Sequence, residues 1–366
     1  MRIAFVSDNY PRQGEAGGIG TYTRVMARCL GRQGHEVHIF AGGGTGLVAT
    51  GGLSLHLVPP VGDREAVGNA VLRAVETGGP FDVLEAPEFR ALGAVAVGRR
   101  DVARLLTVRL HGAETLLGHR PDMWKGLPED PERAVACAAD LVTAPSAAAV
   151  EMTDAHWGTR LRSRVVVVPN PGPDVVSLPS TRPRYDVAFF GRLEPRKGVD
   201  VLADVLRRVS RPLSLVVAGS DHPWGEGKTG LDLLRSSGAR VSYLGVLDHA
   251  QVMATLSQAR IAVVPSRNES FGLTLLEAMT ARVPAVASDI PAFRELIGDS
   301  CGVPLLPLDA PALWAAEITR LLDDPQLASD RVRRAGVRAQ AFRPPAVAKA
   351  LLTAWSSRGR LGSSAC

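Results

Sequence analysis

The 366-residue sequence lacks long apolar runs. None reaches the length of about 18 residues that a membrane-spanning helix requires, and the first apolar segment meets polar Ser7 too soon for a secretion signal. These absences lead us to expect a cytoplasmic protein. With 46% hydrophobic and 22% charged residues the composition is that of an ordinary globular protein, and the length predicts two domains at about 150 residues each.

Lysine and aromatic residues are also scarce. Only four of the 42 basic side chains are lysines, and Phe, Trp and Tyr together make up 5% of the chain. This preference for arginine is typical of a GC-rich bacterial genome. No basic run carries the interleaved aromatic residues on which single-stranded bases stack. The net charge of +5 therefore suggests an anionic ligand only weakly, and nucleic acid is not an expected partner.

Metal-binding and disulfide motifs are missing as well. The four cysteines form no CxxC pair, and the eight histidines form neither an HExxH motif nor a cluster with metal-ligand spacing. We therefore expect reduced thiols and no bound metal.

What the sequence does contain is a regular alternation of short apolar, β-branched segments with helical patterns. Strands are predicted over residues 3–7, 37–40, 55–58, 83–84, 105–110, 141–143, 165–168, 187–190, 213–218, 241–243, 261–264 and 285–287. Helices are predicted over residues 19–32, 64–76, 131–139, 199–209, 249–258, 272–280, 311–322 and 345–355. Several of the strands are continuously hydrophobic, as strands buried on both faces are, so the alternation predicts an α/β fold with parallel sheets.

A proline-rich stretch divides the two series of strands. Five prolines fall within residues 169–184, and proline continues neither a helix nor a central strand. We expect this stretch to link an amino-terminal domain of residues 1–170 to a carboxy-terminal domain of residues 171–341, with a last helix over 342–356 that packs back on the first. Doubly wound, Rossmann-like domains bind ligands at the carboxyl ends of their strands. The two are therefore expected to face each other across a cleft.

Glycines precede the first predicted helix, and a histidine follows a strand of the first domain. Gly17 and Gly18 stand where glycine lets the N–H groups of a helix N-terminus approach an anion. Their spacing is not the dinucleotide fingerprint GxGxxG, so we expect a phosphate or sugar contact, with a structural turn as the alternative. His111 follows the strand 105–110 and would face a ligand at that strand's carboxyl end.

Two cations flank a turn after the first strand of the second domain. Arg192 and Lys197 stand in the motif Phe-Gly-Arg-Leu-Glu-Pro-Arg-Lys-Gly, where a doubly wound sheet presents its ligands. A guanidinium fork and an ammonium group together suit a diphosphate, whereas a solvated turn is the alternative interpretation.

Two glutamates and a glycine follow the strand 261–264. Gly272 begins a helix and opens its N-terminal N–H groups to an anion, while Glu269 precedes the helix and Glu277 lies inside it. Carboxylates do not favour phosphates, but they accept hydrogen bonds from the hydroxyls of a sugar. The stretch therefore predicts a site for a ligand that carries both phosphates and a sugar.

Together these motifs resemble the family 4 retaining glycosyltransferases of the GT-B fold, and the resemblance covers most of the chain. Three elements carry it: the Gly17-Gly18 loop, the turn at residues 190–198, and the Glu-x7-Glu spacing of Glu269 and Glu277. The resemblance implies two facing Rossmann-like domains and a nucleotide-diphosphate sugar donor, with a UDP-sugar such as UDP-glucose or UDP-GlcNAc favoured. It also implies an acceptor hydroxyl, on a small natural product or a saccharide, and no metal.

The resemblance further implies a role for each matching residue of the second domain. Arg192 and Lys197 would bind the donor diphosphate and stabilise its charge as it leaves. Glu277 would accept hydrogen bonds from the ribose hydroxyls, and Glu269 would contact hydroxyls of the transferred sugar. Sugar and phosphate oxygens would be held by the N–H groups of Phe271, Gly272 and Leu273.

Other roles implied by the resemblance fall on three loops. His111 would contact the sugar near the reacting carbon and so join Arg192, Lys197 and Glu269 in the catalytic group. Gly17 and Gly18 would approach the phosphate. We further expect the backbone around Gly245 and Val246 to contact the base.

The expected chemistry needs no metal. Two fixed cations and a helix N-terminus can neutralise a departing diphosphate by electrostatic preorganisation. The sequence has no Asp-x-Asp motif and no carboxylate that is an obvious covalent nucleophile. We expect attack from the same face on an oxocarbenium-like centre, with the departing phosphate oxygen deprotonating the acceptor and configuration retained.

Other functions stay open at this point. A sugar-nucleotide epimerase, a glycoside phosphorylase or a non-catalytic carbohydrate-binding protein could use the same fold and similar ligands. An NAD-dependent oxidoreductase is disfavoured because the tight glycine turn is missing. A Walker A ATPase is excluded because His222, not glycine, stands five residues before Gly227.

Departures from the family pattern concern the acceptor and the surface. Arg282 stands where glycine is common, and Glu85 stands where many members have histidine. Glu85 and Glu88 could bind a polyhydroxylated or cationic acceptor such as an aminocyclitol, although a plain loop role is favoured. A stripe of arginines on the first helix could contact anionic lipid, but a solvated face is favoured over such peripheral membrane contact: Arg24, Arg28 and Arg32.

Overall fold

The computed structural model describes residues 1–10, 17–59, 63–113, 116, 129–174, 180, 182–225, 227–299 and 301–358. These residues form two compact units. The first unit holds the described residues up to 171 together with those from 344 onward, and the second holds the described residues 172–343. The predicted linker falls partly on residues 175–179 and 181, which lie outside the described residues.

Eight strands of the described chain form the sheet of the first unit. They are β1 (Arg2–Asn9), β2 (Glu36–Gly42), β3 (Gly46–Thr50), β4 (Leu53–Val58), β5 (Phe81–Pro87), β6 (Ala103–Arg109), β7 (Leu141–Ala144) and β8 (Val165–Val167). Their order is β3-β4-β2-β1-β5-β6-β7-β8, and neighbours are parallel except for β3 with β4. The order reverses between β1 and β5, and doubly wound sheets bind ligands at this switch point.

Helices follow the strands of the first unit. They are α1 (Gly18–Arg32), α2 (Arg64–Gly78), α3 (Pro131–Ala138) and α4 (Ala147–Trp157). Asp63, Asp130 and Ser146 each accept a hydrogen bond from a backbone N–H in the first turn of α2, α3 and α4 respectively. Such caps satisfy N–H groups that have no partner within the helix, and they determine where these helices begin.

The second unit contains a parallel sheet and a separate hairpin. Its strands are β9 (Tyr185–Phe190), β10 (Ser214–Ala218), β11 (Pro223–Gly225), β12 (Lys228–Thr229), β13 (Arg240–Tyr243), β14 (Ala259–Val264), β15 (Ala285–Ser288) and β16 (Leu305–Leu306). β11 and β12 form the hairpin, and the other six are parallel in the order β13-β10-β9-β14-β15-β16. Counted along the chain this is the Rossmann order 3-2-1-4-5-6, with its switch point between β9 and β14.

Helices cover both faces of the second sheet. They are α5 (Val199–Arg208), α6 (Gly230–Arg235), α7 (His249–Leu256), α8 (Leu273–Thr280), α9 (Pro291–Ile297), α10 (Pro311–Asp323) and α11 (Pro325–Ala339). In β9, Ala188 and Phe190 belong to one core cluster, whereas Val187 and Phe189 belong to another. Because successive side chains of a strand point to opposite faces, burial on both faces explains why this strand is continuously hydrophobic.

The last helix of the described chain, α12 (Pro344–Arg358), belongs to the first unit. Val347, Leu351 and Trp355 are buried in the same cluster as Ile3 and Phe5 of β1. The ring centroids of Phe5 and Trp355 lie 6.3 Å apart. Since a fully buried large apolar side chain contributes about 1.5–3 kcal/mol, burial of this apolar face places α12 on the first sheet.

The predicted α/β fold with parallel sheets is confirmed, and every predicted helix and strand is present within a few residues. Eight elements were not predicted: β3, β11, β12, β16, α4, α6, α9 and α11. β3 is exposed along its whole length, and α11 buries only Ala335 and Ala339. β3 therefore has no buried face to predict it, whereas α11 has apolar residues at helical spacing that the prediction overlooked: Ala328, Val332, Ala335 and Ala339.

Arg282, which stands where glycine is common in the family that the sequence resembles, has a left-handed backbone with φ of 56°. It follows α8, and the N–H of Val283 donates back to the carbonyl oxygen of Ala278 at 3.0 Å. Helices often end in this way on a left-handed glycine. The chain keeps that backbone shape with an arginine, at a cost of about 1–2 kcal/mol.

The start of α5 depends on a close approach that a substitution can test. Gly198 has φ of +70°, and a Cβ added there would lie 1.9 Å from the carbonyl oxygen of Pro265. Gly238 has φ of +85°, but a Cβ added there would meet no atom within 4 Å. We expect Gly238→Ala to lower the free energy of unfolding by about 1–2 kcal/mol, the cost of a left-handed alanine. Gly198→Ala should lower it further, because α5 or the end of β14 must also shift.

Urea unfolding of both variants, followed by tryptophan fluorescence, measures the difference. Equal losses of stability in the two variants would contradict the tight contact between Gly198 and Pro265.

Candidate functional site

The candidate site of the second unit lies at the carboxyl ends of β9 and β14, where the strand order reverses. Backbone hydrogen bonds hold its loops together. The N–H of Arg267, after β14, donates to the carbonyl oxygen of Arg196, after β9, at 2.8 Å. The N–H of Gly219, after β10, donates to the carbonyl oxygen of Gly245, after β13, at 2.8 Å. Four loops are therefore joined in pairs by their backbone before any side chain contributes.

An ion pair between Lys197 and Glu269 is at the centre of this site. Lys197 Nζ lies 2.6 Å from Glu269 Oε1, and the two side chains are only 16% and 12% exposed. Ser266 Oγ donates to the same carboxylate oxygen at 2.8 Å, and Arg196 Nη1 lies 3.8 Å from Glu269 Oε2. Burial raises the pKa of Glu269, but the charges of Lys197 and Arg196 outweigh it and hold that pKa below its usual value. Glu269 is therefore ionised at neutral pH.

A second carboxylate, that of Glu194, forms ion pairs with two arginines of the loop after β9. Glu194 Oε1 lies 3.2 Å from Arg192 Nη2 and 3.0 Å from Arg196 Nη2. The side chain of Arg192 is 47% exposed, so its guanidinium stays accessible to a ligand. Three cations and two carboxylates thus lie within one pair of loops, which leaves the group with a net positive charge.

The N-terminus of α8 adds backbone donors at the same sheet edge. Gly272 precedes the helix with φ of +106°, and a Cβ added there would lie 2.5 Å from the ring of Phe293. Only glycine therefore fits between β14 and α9. No side chain of the described residues caps this helix, and the first N–H groups of a helix have no intrahelical partner. The N–H groups of Leu273 and of the residues after it can therefore donate hydrogen bonds to an anion.

Glu277 lies in the second turn of α8 beside a histidine of α7. His249 Nδ1 lies 3.4 Å from Glu277 Oε1, and the two side chains are 5% and 13% exposed. Burial raises the pKa of Glu277 to about 7, although the charge of Lys197 opposes the rise. This carboxyl group therefore changes charge near neutral pH.

The loop after β13 presents an apolar surface. Leu244 and Val246 are 41% and 48% exposed, and Gly245 between them has φ of +68°. The hydroxyl of Tyr243 donates to the carbonyl oxygen of Gly219 at 2.9 Å, which fixes this loop against the neighbouring one.

In the first unit, a buried carboxylate holds the loop that carries His111. The backbone N–H of His111 lies 2.8 and 2.9 Å from the two carboxylate oxygens of Glu88, and the N–H of Gly112 donates to Oε1 at 2.7 Å. Burial raises the pKa of Glu88 to about 7. Glu88 therefore has the loop role that the sequence favours, because its oxygens accept backbone hydrogen bonds from His111 and Gly112.

The His111 ring packs against Tyr22 of α1, edge to face, with ring centroids 5.2 Å apart. Burial and the nearby charge of Arg109 hold the pKa of His111 well below its usual value, so the imidazole is neutral. At the start of α1, Gly17 is extended and exposed, and Gly18 is the first helical residue. A Cβ added at Gly17 would meet no atom within 4 Å, so packing in the described structure does not require glycine there.

Two family models match the chain. The Glycosyltransferase Family 4 model matches residues 16–171, and the model described as Glycosyl transferases group 1 matches residues 184–324. The chain belongs to the family 4 glycosyltransferases. The predicted resemblance is therefore confirmed, and the two models fall on the two structural units.

Named relatives agree with this family 4 assignment. An alpha-D-kanosaminyltransferase from Streptomyces kanamyceticus is 34% identical over 150 residues, which make up 38% of this chain and 37% of that enzyme. The match thus spans little more than a third of that relative. A D-inositol 3-phosphate glycosyltransferase from Nocardia farcinica is 29% identical over 391 residues, covering 90% of this chain and 82% of that one. These names support the prediction of a hexosyltransferase.

The fold of this family 4 protein is shared with solved structures. The Anabaena protein HepE, solved in complex with UDP-glucose, superposes with a TM-score of 0.70 and 20% identity, over 98% of this chain and 100% of that one. At this identity the likeness concerns the fold. It confirms the predicted Rossmann-like domains of the GT-B type.

The structure brings the predicted residues of the second unit to one sheet edge: Arg192, Lys197, Gly245, Val246, Glu269, Phe271, Gly272, Leu273 and Glu277. Sequence reasoning missed Glu194 and Arg196, although both stand inside the motif that it singled out. It also missed His249, for which the sequence has no signal because the contact joins two different helices.

The described part of the chain contains no group of three or more residues that could hold a metal ion. The expectation of a metal-independent reaction stays a prediction. No helix among the described residues is long and apolar enough to cross a bilayer.

The ion pair can be tested in the protein without ligand. Lys197→Met leaves the largely buried Glu269 charge without its main partner, so we expect a loss of about 3 kcal/mol of stability at pH 7. The double variant Lys197→Met/Glu269→Gln should lose less than the sum of the single variants. The folded-state pKa of Glu269 is lowered, so its contribution is present at neutral pH and lost as pH falls through that pKa.

The Arg267–Asp200 pair in the same loops is a matched control. Its groups lie 2.6 Å apart but are 40% and 39% exposed, so Arg267→Met should cost less than about 1 kcal/mol. Additive effects of Lys197→Met and Glu269→Gln in chemical denaturation would show that the two side chains are not coupled.

Proposed function

We propose that the protein is a retaining glycosyltransferase that moves a hexose from a UDP-sugar, such as UDP-glucose or UDP-GlcNAc, to an acceptor hydroxyl. One observation carries the proposal. Cations of the loop after β9 and the uncapped N-terminus of α8 converge at the switch point of the second sheet. The names of the relatives, and the UDP-glucose bound in the Anabaena structure, support the same chemistry.

The donor diphosphate fits the positive group of the second unit. Arg192 is exposed and can bind phosphate oxygens with a guanidinium fork, and Lys197 supplies a point charge. Lys197 is paired with Glu269. An arriving phosphate oxygen would compete for Lys197 Nζ, and Glu269 would then turn to a hydroxyl of the transferred sugar.

The nucleoside fits the neighbouring loops. Glu277 can accept hydrogen bonds from the ribose hydroxyls, and His249 contacts its carboxylate. The exposed Leu244 and Val246 around Gly245 offer an apolar surface for the base. The N–H groups of Phe271, Gly272 and Leu273 would hold sugar and phosphate oxygens.

The proposed reaction is a substitution at the anomeric carbon. The bond from this carbon to the phosphate oxygen breaks with its electron pair on the phosphate, and the fixed cations and helix N-terminus stabilise that charge. The acceptor oxygen forms the new bond from the same face, and its proton passes to the departing phosphate oxygen. We propose that the neutral His111 contacts the sugar near the reacting carbon.

A cytoplasmic location is part of the proposal. Among the described cysteines, no disulfide joins Cys29, Cys137 or Cys301, which suits a reducing compartment.

Turnover of donor nucleotides tests the function. Purified protein is incubated with UDP-, GDP-, ADP- and dTDP-sugars and a panel of hydroxyl acceptors, and product formation is followed by mass spectrometry. We expect a glycoside with the anomeric configuration of the donor, formed equally well in EDTA. Lys197→Ala should lower kcat by at least about 100-fold, because a charge-stabilising donor is removed.

Lys228→Ala is the matched control, since Lys228 is an exposed lysine of the β11–β12 hairpin. It should behave as wild type. An isomerised free sugar nucleotide in place of a glycoside would indicate an epimerase, and equal activity of Lys197→Ala and Lys228→Ala would remove the site assignment.

Nucleotide binding should depend on pH through Glu277. Because burial raises the pKa of Glu277 to about 7, the carboxyl is mostly ionised at pH 8 and mostly protonated at pH 6. An ionised carboxylate accepts hydrogen bonds from ribose more strongly, so UDP affinity should fall by about three- to tenfold between pH 8 and pH 6. Calorimetry of UDP binding measures this change.

Glu277→Gln should bind UDP weakly at both pH values and lose this part of the pH dependence. The free energy of unfolding of the protein without nucleotide should instead fall as pH rises, whereas UDP affinity rises. A raised folded-state pKa favours the folded protein below the ordinary carboxyl range, and this advantage is lost as pH rises through about 7. An unchanged pH profile in Glu277→Gln would contradict the role of this carboxyl.

A further inference from the structure

The loop that carries His111 is joined to the loop after β5 in both directions. Glu88 directly follows β5 and is fully buried. Its carboxylate accepts hydrogen bonds from the N–H groups of His111 and Gly112 at 2.7–2.9 Å. In the other direction, the N–H of Glu88 donates to the carbonyl oxygen of Arg109, the last residue of β6, at 3.2 Å. The position of His111 is therefore set by a side chain 23 residues earlier in the chain.

An ionised carboxylate suits this contact better than a neutral side chain does. Successive N–H groups that converge on one point form a concave anion site, and Gly112 has φ of +124°, a backbone shape that glycine adopts readily. A carboxylate offers two acceptor oxygens, whereas the amide of glutamine offers one oxygen and an N–H₂ group that only donates. Hydrogen bonds to an ionised acceptor are also the stronger ones. The charge of Glu88 therefore contributes directly to holding the His111 loop.

The backbone that directs Glu88 toward this loop is strained. Arg90 and Ala91 are both left-handed, with φ of 57° and 53°, and each has a Cβ that disfavours this shape. Glu132 of α3, which is also fully buried, accepts a hydrogen bond from the N–H of Arg90 at 2.7 Å. Such strain persists only where the surrounding structure enforces it, and it clusters at functional sites. A second buried carboxylate thus fixes the turn that places Glu88 against His111.

The ionisation of Glu88 depends on the same contacts. Burial and the charge of Glu132 raise the pKa of Glu88 to about 7, and the N–H groups of His111 and Gly112 oppose the rise. His111 itself stays neutral, because burial and the charge of Arg109 hold its pKa well below the usual value. Of the Glu88 and His111 side chains, it is therefore Glu88 that changes charge between pH 6 and pH 8.

The arginines of the neighbouring segments have other partners. Arg90 Nη1 lies 3.7 Å from Asp8 Oδ1 at the carboxyl end of β1. Arg109 Nη2 donates to Asn170 Oδ1 at 2.9 Å. Among the described residues, the groups that stabilise the charge of Glu88 are therefore the backbone N–H groups of the loop that it holds.

We propose that Glu88 is a positioning residue of the transferase: its ionised carboxylate holds the backbone of His111 and so orients the imidazole toward the transferred sugar. The inference rests on the proposed function and adds to it a second dependence on pH. Glu277 acts on nucleotide affinity, whereas Glu88 acts through His111 on the rate of transfer.

A double-mutant cycle tests whether Glu88 acts through His111. Transfer by the full chain is measured at pH 8 with the sugar nucleotide and acceptor that the wild type uses in the turnover assay. Glu88→Gln has nearly the same shape but one acceptor oxygen fewer, so it should lower kcat at least about tenfold while the donor KM stays within about twofold. His111→Ala should lower kcat as well, and Glu88→Gln added to it should lower kcat by less than about twofold further.

The pH profile supplies a readout that a merely structural role would not move. With saturating donor, kcat of the wild type should fall about five- to tenfold between pH 8 and pH 6. The reason is that the ionised fraction of a group with a pKa of about 7 falls from about 0.9 to about 0.1 over this range. Glu88→Gln should lose this dependence of kcat, whereas Glu277→Gln should keep it.

Hydrogen exchange followed by mass spectrometry measures the loop contact without any ligand. Peptides that contain His111 should exchange at least about fivefold faster in Glu88→Gln than in the wild type, because their N–H groups lose an acceptor. Asp154→Asn is the matched control, since Asp154 also accepts from two successive N–H groups, those of Leu161 and Arg162, at 2.7 and 3.1 Å. It should leave kcat, its pH profile and exchange at His111 as in the wild type.

The outcomes separate this inference from the proposed function. Wild-type protein that turns over no donor would overturn the proposed function, and exchange would still show whether Glu88 holds the loop. If transfer occurs but Glu88→Gln keeps the wild-type kcat, or its effect adds fully to that of His111→Ala, the positioning role is wrong while the proposed function stands. Unchanged exchange at His111 in Glu88→Gln would overturn the role as well.

Thermal unfolding shows whether each variant is folded. If Glu88→Gln does not fold, exchange in the wild type decides. Protection of the His111 peptides, corrected for the intrinsic exchange rate, should then fall from pH 8 to pH 6 as Glu88 is protonated. Constant protection over this range would overturn the positioning role.

Discussion

The ion pair between Lys197 and Glu269 connects two loops that are 72 residues apart in the chain and lie together only at the switch point of the second sheet. Desolvation of two largely buried charges costs free energy, and only short, well-supported contacts offset that cost. Here Ser266 and Arg196 supply the support. In the proposed function the same pair is exchangeable, because a phosphate oxygen can replace the carboxylate at Lys197 while a sugar hydroxyl replaces the ammonium at Glu269.

Both units have a switch point in their sheet, but the charged groups around the two switch points differ. At the switch point of the second unit, Arg192, Arg196 and Lys197 exceed their carboxylate partners in charge, and the N-terminus of α8 adds to the excess. At the switch point of the first unit, burial raises the pKa of Glu85, and the charge of Arg109 opposes the rise. A charged group such as a diphosphate is attracted by the net positive charge of the second unit.

Three residues that the sequence singled out have different physical roles: Arg282, Glu88 and Glu85. Arg282 keeps the left-handed backbone that glycine would adopt at the end of α8, so this change concerns local strain and not ligand chemistry. Glu88 is committed to the backbone of His111 and Gly112, so it positions a loop. Glu85 is buried near the end of β5 and accepts a hydrogen bond from the Tyr22 hydroxyl, so it belongs to the packing of the first unit.

The sequence by itself determined the α/β class, the position of every predicted helix and strand, and a set of residues that lie together at the switch point of the second sheet, because apolar periodicity and the glycine and cation motifs are local features. It did not reveal β3, which buries no side chain, and α11 was overlooked although that helix has apolar residues at helical spacing. Only the tertiary structure decided which charges meet. The contact of Glu277 with His249, the use of both Glu88 oxygens by the His111 loop and the joining of Tyr22, Glu85 and Arg109 all link segments far apart in the chain. Such pairings depend on strand order and helix packing, which no local pattern encodes.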